Sequence, residues 1–419
     1  MYAIRHSRRL LPLGLIVMFA PIAAAQRVAT FTVPLDGPVP AEGVPVSAEL
    51  PDLPAEAAFD LYEVRGAERE WVPSQREGGG RKRLHWLVAP RAGGAAGRVY
   101  ELARLPAATD VPQAEMNLVD RDGVLTLRAG ERELLGYYHA VQQAPAGESP
   151  LYARSGFIHP LRAPHGQVLT QIQPMGDFHH YGLWAPWPRV GFEGREIDFW
   201  NLGDGKGTVR FTRFAATSEG SVFAEYQAEQ EHVVLLPEGG EKVALREVQT
   251  VRGYRMLAAD AYLLDLTIVL RCAGAVPVTL LDYRYGGPGW RPTAEWNRTN
   301  SEMLTSEGLA RPAIDGSRAR WCLVQGEVDG GGDYAGAAWL THPGNFNSPE
   351  PMRVWPEDKN GRGDVFVNFA PAKGRDWPLE PGKDYVLRYR FLVFNGHRAA
   401  EAAEGAWRSF TKPPVVQVE

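Results

Sequence analysis

The chain has 419 residues, with 45 Lys and Arg against 50 Asp and Glu and a formal net charge of −5. Charges of both signs are mixed throughout, so no basic stripe marks a nucleic-acid face. The only cysteines, Cys272 and Cys322, are too few for a disulfide framework, though they could pair or each fill a strand as a small apolar residue.

Taken in order, the chain opens with Arg5, Arg8 and Arg9, an apolar run from Leu10 to Ala20, and small residues ending in "AAAQ". That layout predicts a secretory signal peptide over residues 1–25, cleaved after Ala25, and hence a periplasmic or secreted protein. "SRRLL" also fits a twin-arginine signal. The apolar run is shorter than the roughly 20 residues a membrane span needs, and no second such run follows, so no membrane span is expected. No cysteine lies at the cleavage site to take a lipid anchor.

Residues 27–105 alternate apolar and polar positions in short runs, "RVATFTVPL", "GVPVSAELP", "FDLYEV", "RLHWLVAP" and "GRVYELARL". Strands at this spacing predict a small immunoglobulin-like β-sandwich. "PAATDVPQ", Pro106 to Gln113, reads as a linker. Residues 114–419 then form a large β domain. It begins with "AEMNLVD", "GVLTLRA" and "RELLGYYHA", the first two joined by an "RDG" hairpin turn. From Thr208 the alternating runs lengthen into consecutive strands, and one helix is predicted in "GHRAAEAAEGAWRSF". The fold class is therefore all-β: the small sandwich, then a large antiparallel one, with the galactose-mutarotase supersandwich as its candidate form.

Three segments without periodicity retain large aromatics and ionisable groups where cheaper polar residues would serve. They run from Arg154 to Gly205, from Asp282 to Thr299, and from Thr341 to Asp358. Loops of this kind carry function more often than loops of small polar residues. They hold His159, His179, His180 and His342, with Asp198 enclosed in "EIDFWN". On an extended strand the adjacent His179 and His180 would point to opposite faces, whereas in a loop they can converge.

The expected site gathers His159, His179, His180, Asp198, Arg291 and His342 in one cleft. His180 acts as general acid or base, because an imidazole titrates near neutrality. His179 and Asp198 orient it or bind hydroxyls. Arg291 holds an anionic or polar substituent. Trp184 or Trp290 stacks on a sugar ring, and Tyr285 and Asn345 add substrate contacts. Asp177, Glu193, Glu196, Asp282 and Glu295 are further carboxylates in the same blocks. His159, His179, His180 and Asp198 would suffice in number for a zinc or copper ion, but no tight ligand spacing assigns one. The cofactor stays open, with a divalent metal ion as its candidate.

"SGFIHPLRAPHGQVLT", "FHHYGLW", "GREIDFWN", "YGGPGWR", "ARWC" and "THPGNFNSPEPMRVW" together resemble an extracytoplasmic bacterial family known as PmoA family or domain of unknown function 6807. The resemblance covers about residues 114–397. Beside the histidine pair the chain departs from the family pattern, with Phe178 before it and Tyr181 after. The PmoA name implies a methane-oxidising membrane copper enzyme, which would need several apolar spans that this chain lacks. The family's occurrence in polysaccharide-degrading bacteria implies carbohydrate work, with an oligosaccharide or polysaccharide as partner. The leading reading is a secreted or periplasmic carbohydrate-active enzyme, a glycan hydrolase or lyase. A non-catalytic glycan-binding protein is the alternative, and a metal-dependent oxidoreductase the third.

Overall fold

A computed structural model describes residues 26–50, 58–77, 82–91, 97–105 and 115–419. The expected signal peptide, the Pro106–Gln113 linker and the glycine turn at 78–81 lie outside these residues.

The structure is all-β. The N-terminal domain is a sandwich of two antiparallel sheets. One holds five strands, in the order Gln417–Val418, Gln26–Val33, Arg98–Arg104, Phe59–Arg65 and Glu68–Val72; the other holds Val44–Glu49, Arg83–Val88 and Ser74–Arg76. Period-two alternation turns Phe31, Val33, Val46, Leu61, Trp86, Tyr100 and Leu102 into a core of its own. The strand Gln417–Val418 pairs with Phe31 and Thr32, so the last residues of the chain return to the first domain. Their sequence is too short to reveal this. Gln75 ties the two domains together, its Oε1 accepting from the backbone N–H groups of Val222 (3.0 Å) and Phe223 (2.9 Å).

The large domain packs two eight-stranded antiparallel sheets face to face. The first carries the long strands: Gly207–Ser218, Phe223–Leu235, Glu241–Tyr254, Ala261–Cys272, Tyr385–Asn395, Asp333–Thr341, Trp321–Val328 and Ser301–Thr305. Their inward side chains, such as Tyr226, Val251, Leu264, Ile268 and Phe391, are fully buried. The single long helix among the described residues, Ala400–Thr411, covers the other face of this sheet, seating Ala403 and Ala406 against Trp321 and Leu340.

The second sheet differs from expectation in an informative way. Its order is Met352–Val354, Val367–Phe369, Gly289–Trp290, Leu183–Trp184, Phe157–Leu161, Arg132–Tyr138, Val124–Ala129 and Met116–Arg121. Its middle strands come from the segments that read as irregular. They are only two to five residues long, too short to show a period. Leu183 pairs with Trp290, and both face the inter-sheet core. The next residues, Trp184 and Arg291, therefore leave on the outer side.

Cys272 and Cys322 are both free. Their strands stand three spacings apart in one sheet, about 14 Å, well beyond the reach of a disulfide.

Candidate functional site

The outer face of the second sheet carries a separate aromatic cluster of Phe157, Tyr181, Trp184, Trp200, Trp355 and Phe366. Loops from all three aromatic-rich segments close over it. The loop bearing the histidine pair is the deepest of them. Two successive turns shape it: the N–H of Asp177 donates to Pro174 O (2.9 Å), and that of His180 to Asp177 O (2.9 Å). These turns replace the extended backbone that would have split the pair. The rings of His179 and His180 stand edge to face, their centroids 4.5 Å apart. Behind them Gly182 has φ +58°, and a Cβ there would come within 2.3 Å of Ile158 O. Only glycine lets this loop lie so close to the sheet.

His180 is 2% exposed and boxed by the rings of Trp184 (5.1 Å), Trp355 (5.3 Å) and Phe366 (5.3 Å). Burial, followed by His179 and Arg291, holds its imidazole well below the usual range, and its Nδ1 has no hydrogen-bond partner. His179 sits at the mouth. Burial lowers its pKa too, against the pull of Asp177. Both imidazoles are therefore neutral at pH 7.

Arg291 is the second unusual group. It is 1% exposed, yet only Nη2 is engaged, donating to Asp364 Oδ2 at 3.1 Å; the Asp177 carboxylate lies at 3.9 Å. Nε and Nη1 are buried without partners. The guanidinium lies 4.4 Å from the Trp355 ring, as does the ammonium of Lys359. Burial lowers the Arg291 pKa, partly offset by Asp177 and Asp364. Asp364 also meets Arg362 (3.3 Å) and accepts from Asn360 (3.0 Å). Asp177, Lys359 and Asp364 had no assigned role in the sequence reading. The last two stand in "PEDKNGRGD", which resembles a solvated loop, and they reach the site through the pairing of Met352–Val354 with Val367–Phe369.

The structure thus brings together His179, His180, Arg291 and Trp184, and it sends the other expected residues elsewhere. Asp198 accepts from the N–H of Trp200 (2.7 Å) and Asn201 (2.8 Å) and from Asn201 Nδ2 (2.7 Å). It shapes the turn that presents Trp200, and burial raises its pKa. Tyr285 packs on Trp200 at 4.9 Å, at the edge of the aromatic cluster. His159 shares a hydrogen with Thr170 Oγ1 (2.9 Å) beside Tyr138, and burial lowers its pKa to about 4. Trp290 is 0% exposed in the inter-sheet core and donates Nε1–H to Leu169 O (2.9 Å). His342 meets Phe410 of the helix.

Asn345 donates to Glu350 Oε1 at 2.6 Å. Glu350 is wholly buried, accepts from Asn345 and Tyr389, and is pushed up to about 8 by desolvation. The folded chain therefore keeps a proton here that an unfolded chain loses near the ordinary value of 4.5. The resulting stability is complete below pH 4.5 and disappears as pH rises through about 8. Subtracting the melting profile of Glu350→Gln from that of wild type isolates this contribution, because the buried histidines are common to both. Wild type should lose stability relative to the variant across pH 5–9; parallel profiles would show Glu350 to be ionised in the fold.

Residues 124–408 match the profile of a family described as "Family of unknown function (DUF6807)". That is more than half of the 419 residues. The chain belongs to this family. The match supports the domain-6807 label, and the PmoA name receives no support from it. No curated protein matches the sequence. Among solved structures, a GH36 α-galactosidase from Geobacillus stearothermophilus is similar at 12% identity and a TM-score of 0.32, over 71% of this chain and 42% of that one. The chain thus spans less than half the length of that enzyme. A galactose mutarotase related enzyme from Lactobacillus acidophilus is similar at 10% identity and a TM-score of 0.30, over 66% of this chain and 97% of that one. Likeness at these TM-scores carries no argument about chemistry. The site's own residues must carry it. Among the described residues, no helix is long and apolar enough to cross a membrane.

Proposed function

We propose that this DUF6807 protein is an exported carbohydrate-active enzyme whose substrate carries an anionic group, a uronate in particular, and that it cleaves that substrate by hydrolysis or elimination. One observation supports this above the others: Arg291 is buried with Nε and Nη1 unpartnered beside two neutral imidazoles. A buried charged donor left unmade costs roughly 1–3 kcal/mol or more. A ligand carboxylate accepting from Nη1, forked with the remaining N–H of Nη2, would answer one of these two donors. Lys359 adds a second cation at the rim. In elimination from a uronate, Arg291 would steady the enolate that forms as the proton at C5 is removed. Collapse of the enolate forms the C4–C5 double bond and breaks the C4–O bond, and the leaving oxygen takes a proton to depart as a hydroxyl. His179, at the mouth and beside the Asp177 carboxylate, has a neutral imidazole that can accept the C5 proton. Asp198, with its oxygens committed to the turn, serves shape.

The test is purified protein incubated with a panel of neutral and uronate-bearing oligosaccharides. New reducing ends indicate hydrolysis, and absorbance of an unsaturated uronate indicates elimination. Retention without product would convert the reading to a binding protein. Neither product nor retention across the panel would remove the carbohydrate reading.

A further inference from the structure

We propose that Asp177, His179 and His180 bind one divalent first-row transition ion. The ligand-capable atoms of the three residues all lie within 4.8 Å of one another. Bonds of about 2.0–2.2 Å from such ligands need them about 3.3 Å apart in a tetrahedral arrangement, so a closure of up to about 1.5 Å completes the set. The loop already does the harder part, since its two turns aim consecutive histidines to one side.

Independent of that spacing, the donor atoms named next have no hydrogen-bond partner among the described residues. His180 Nδ1 is buried and unsatisfied. Among the described residues no hydrogen bond reaches the ring nitrogens of His179, and Asp177 meets Arg291 only at 3.9 Å, too long for a hydrogen bond. Neutral imidazole is also the form that ligates. Two imidazoles and one carboxylate suit zinc, manganese or iron(II), whereas calcium and magnesium favour oxygen sets.

The charges around the triad set what else it accepts. Arg291, Arg362 and Lys359 lie near, opposed by Asp177, Asp364 and Asp204. These six side chains balance, so a dication adds two net positive charges. An anionic ligand spanning the ion and the free N–H groups of Arg291 would offset that excess. The inference goes beyond the proposed function, because metal binding is read without any sugar present.

The experiment uses untagged protein stripped by a chelator and titrated with Zn²⁺ by calorimetry and with Co²⁺ by visible absorption. One equivalent of each should bind, with a Co²⁺ ligand-field band and a rise in melting temperature. His179→Ala and Asp177→Asn, both at the mouth of the loop, should stay folded and lose at least tenfold in affinity, and Ca²⁺ should compete poorly. Absent binding, affinity unchanged in both variants, or equal affinity for Ca²⁺ would overturn the site. Protein that fails to bind the ion yet cleaves acidic sugars would refute the ion and leave the proposed function standing. Protein that binds the ion and acts on no sugar would do the reverse.

Discussion

Arg291→Gln should lower kcat/KM on an acidic oligosaccharide by about 10²–10³, the usual cost of removing one preorganised donor to developing negative charge. The glutamine fills much of the same space but supplies a neutral amide in place of a guanidinium whose Nε and Nη1 are buried without partners. The variant should still fold. Asp364 would keep Arg362 at 3.3 Å and Asn360 at 3.0 Å, so no carboxylate is stranded, and Asp177 has 13% of its side chain in contact with water. Far-UV circular dichroism and melting temperature should therefore stay near wild type while turnover collapses. Activity within threefold of wild type would mean that Arg291 merely braces Trp355.

Trp290→Ala should cost about 3–5 kcal/mol of stability, the range for emptying a large aromatic position in a core. The indole is fully buried, bonds Leu169 O, and packs edge-on to Trp296 at 6.2 Å. It also pairs through its backbone with Leu183, whose neighbour Trp184 lines the aromatic cluster. Denaturant unfolding measures the loss. A ring platform for sugar would behave differently, with KM raised and stability unchanged, and that result would place Trp290 in the substrate's path.

The same tryptophan shows what the sequence could and could not convey. Long alternating strands such as Ala261–Cys272 declare both their structure and their buried face, and the small N-terminal sandwich was legible for the same reason. Leu183–Trp184 and Gly289–Trp290 are two residues each, so their membership of a sheet depends on partners distant in sequence, Leu183 pairing with Trp290 and Gly289 with Asn368. With that pairing unknown, the inward Trp290 and the outward Arg291 look alike as candidates. Composition did flag the loops that meet over the aromatic cluster, because a buried Arg and a His pair amid tryptophans are costly to keep. It could not sort the residues within them. His342 and Asn345 share a motif with Trp355, yet the chain turns between them and leaves the first two against the helix and Glu350. Asp198 looked enclosed and reactive, but its turn uses both oxygens.

The anionic group is the centre of this account, and a matched pair of substrates from the oligosaccharide panel tests it most directly. Uronate oligosaccharides of one length are compared as free acids and as methyl esters, which differ in charge and little in shape. The account predicts cleavage or binding of the free acid, a loss of at least tenfold on esterification, and no such difference in Arg291→Gln. Equal handling of acid and ester by the wild-type protein would contradict it.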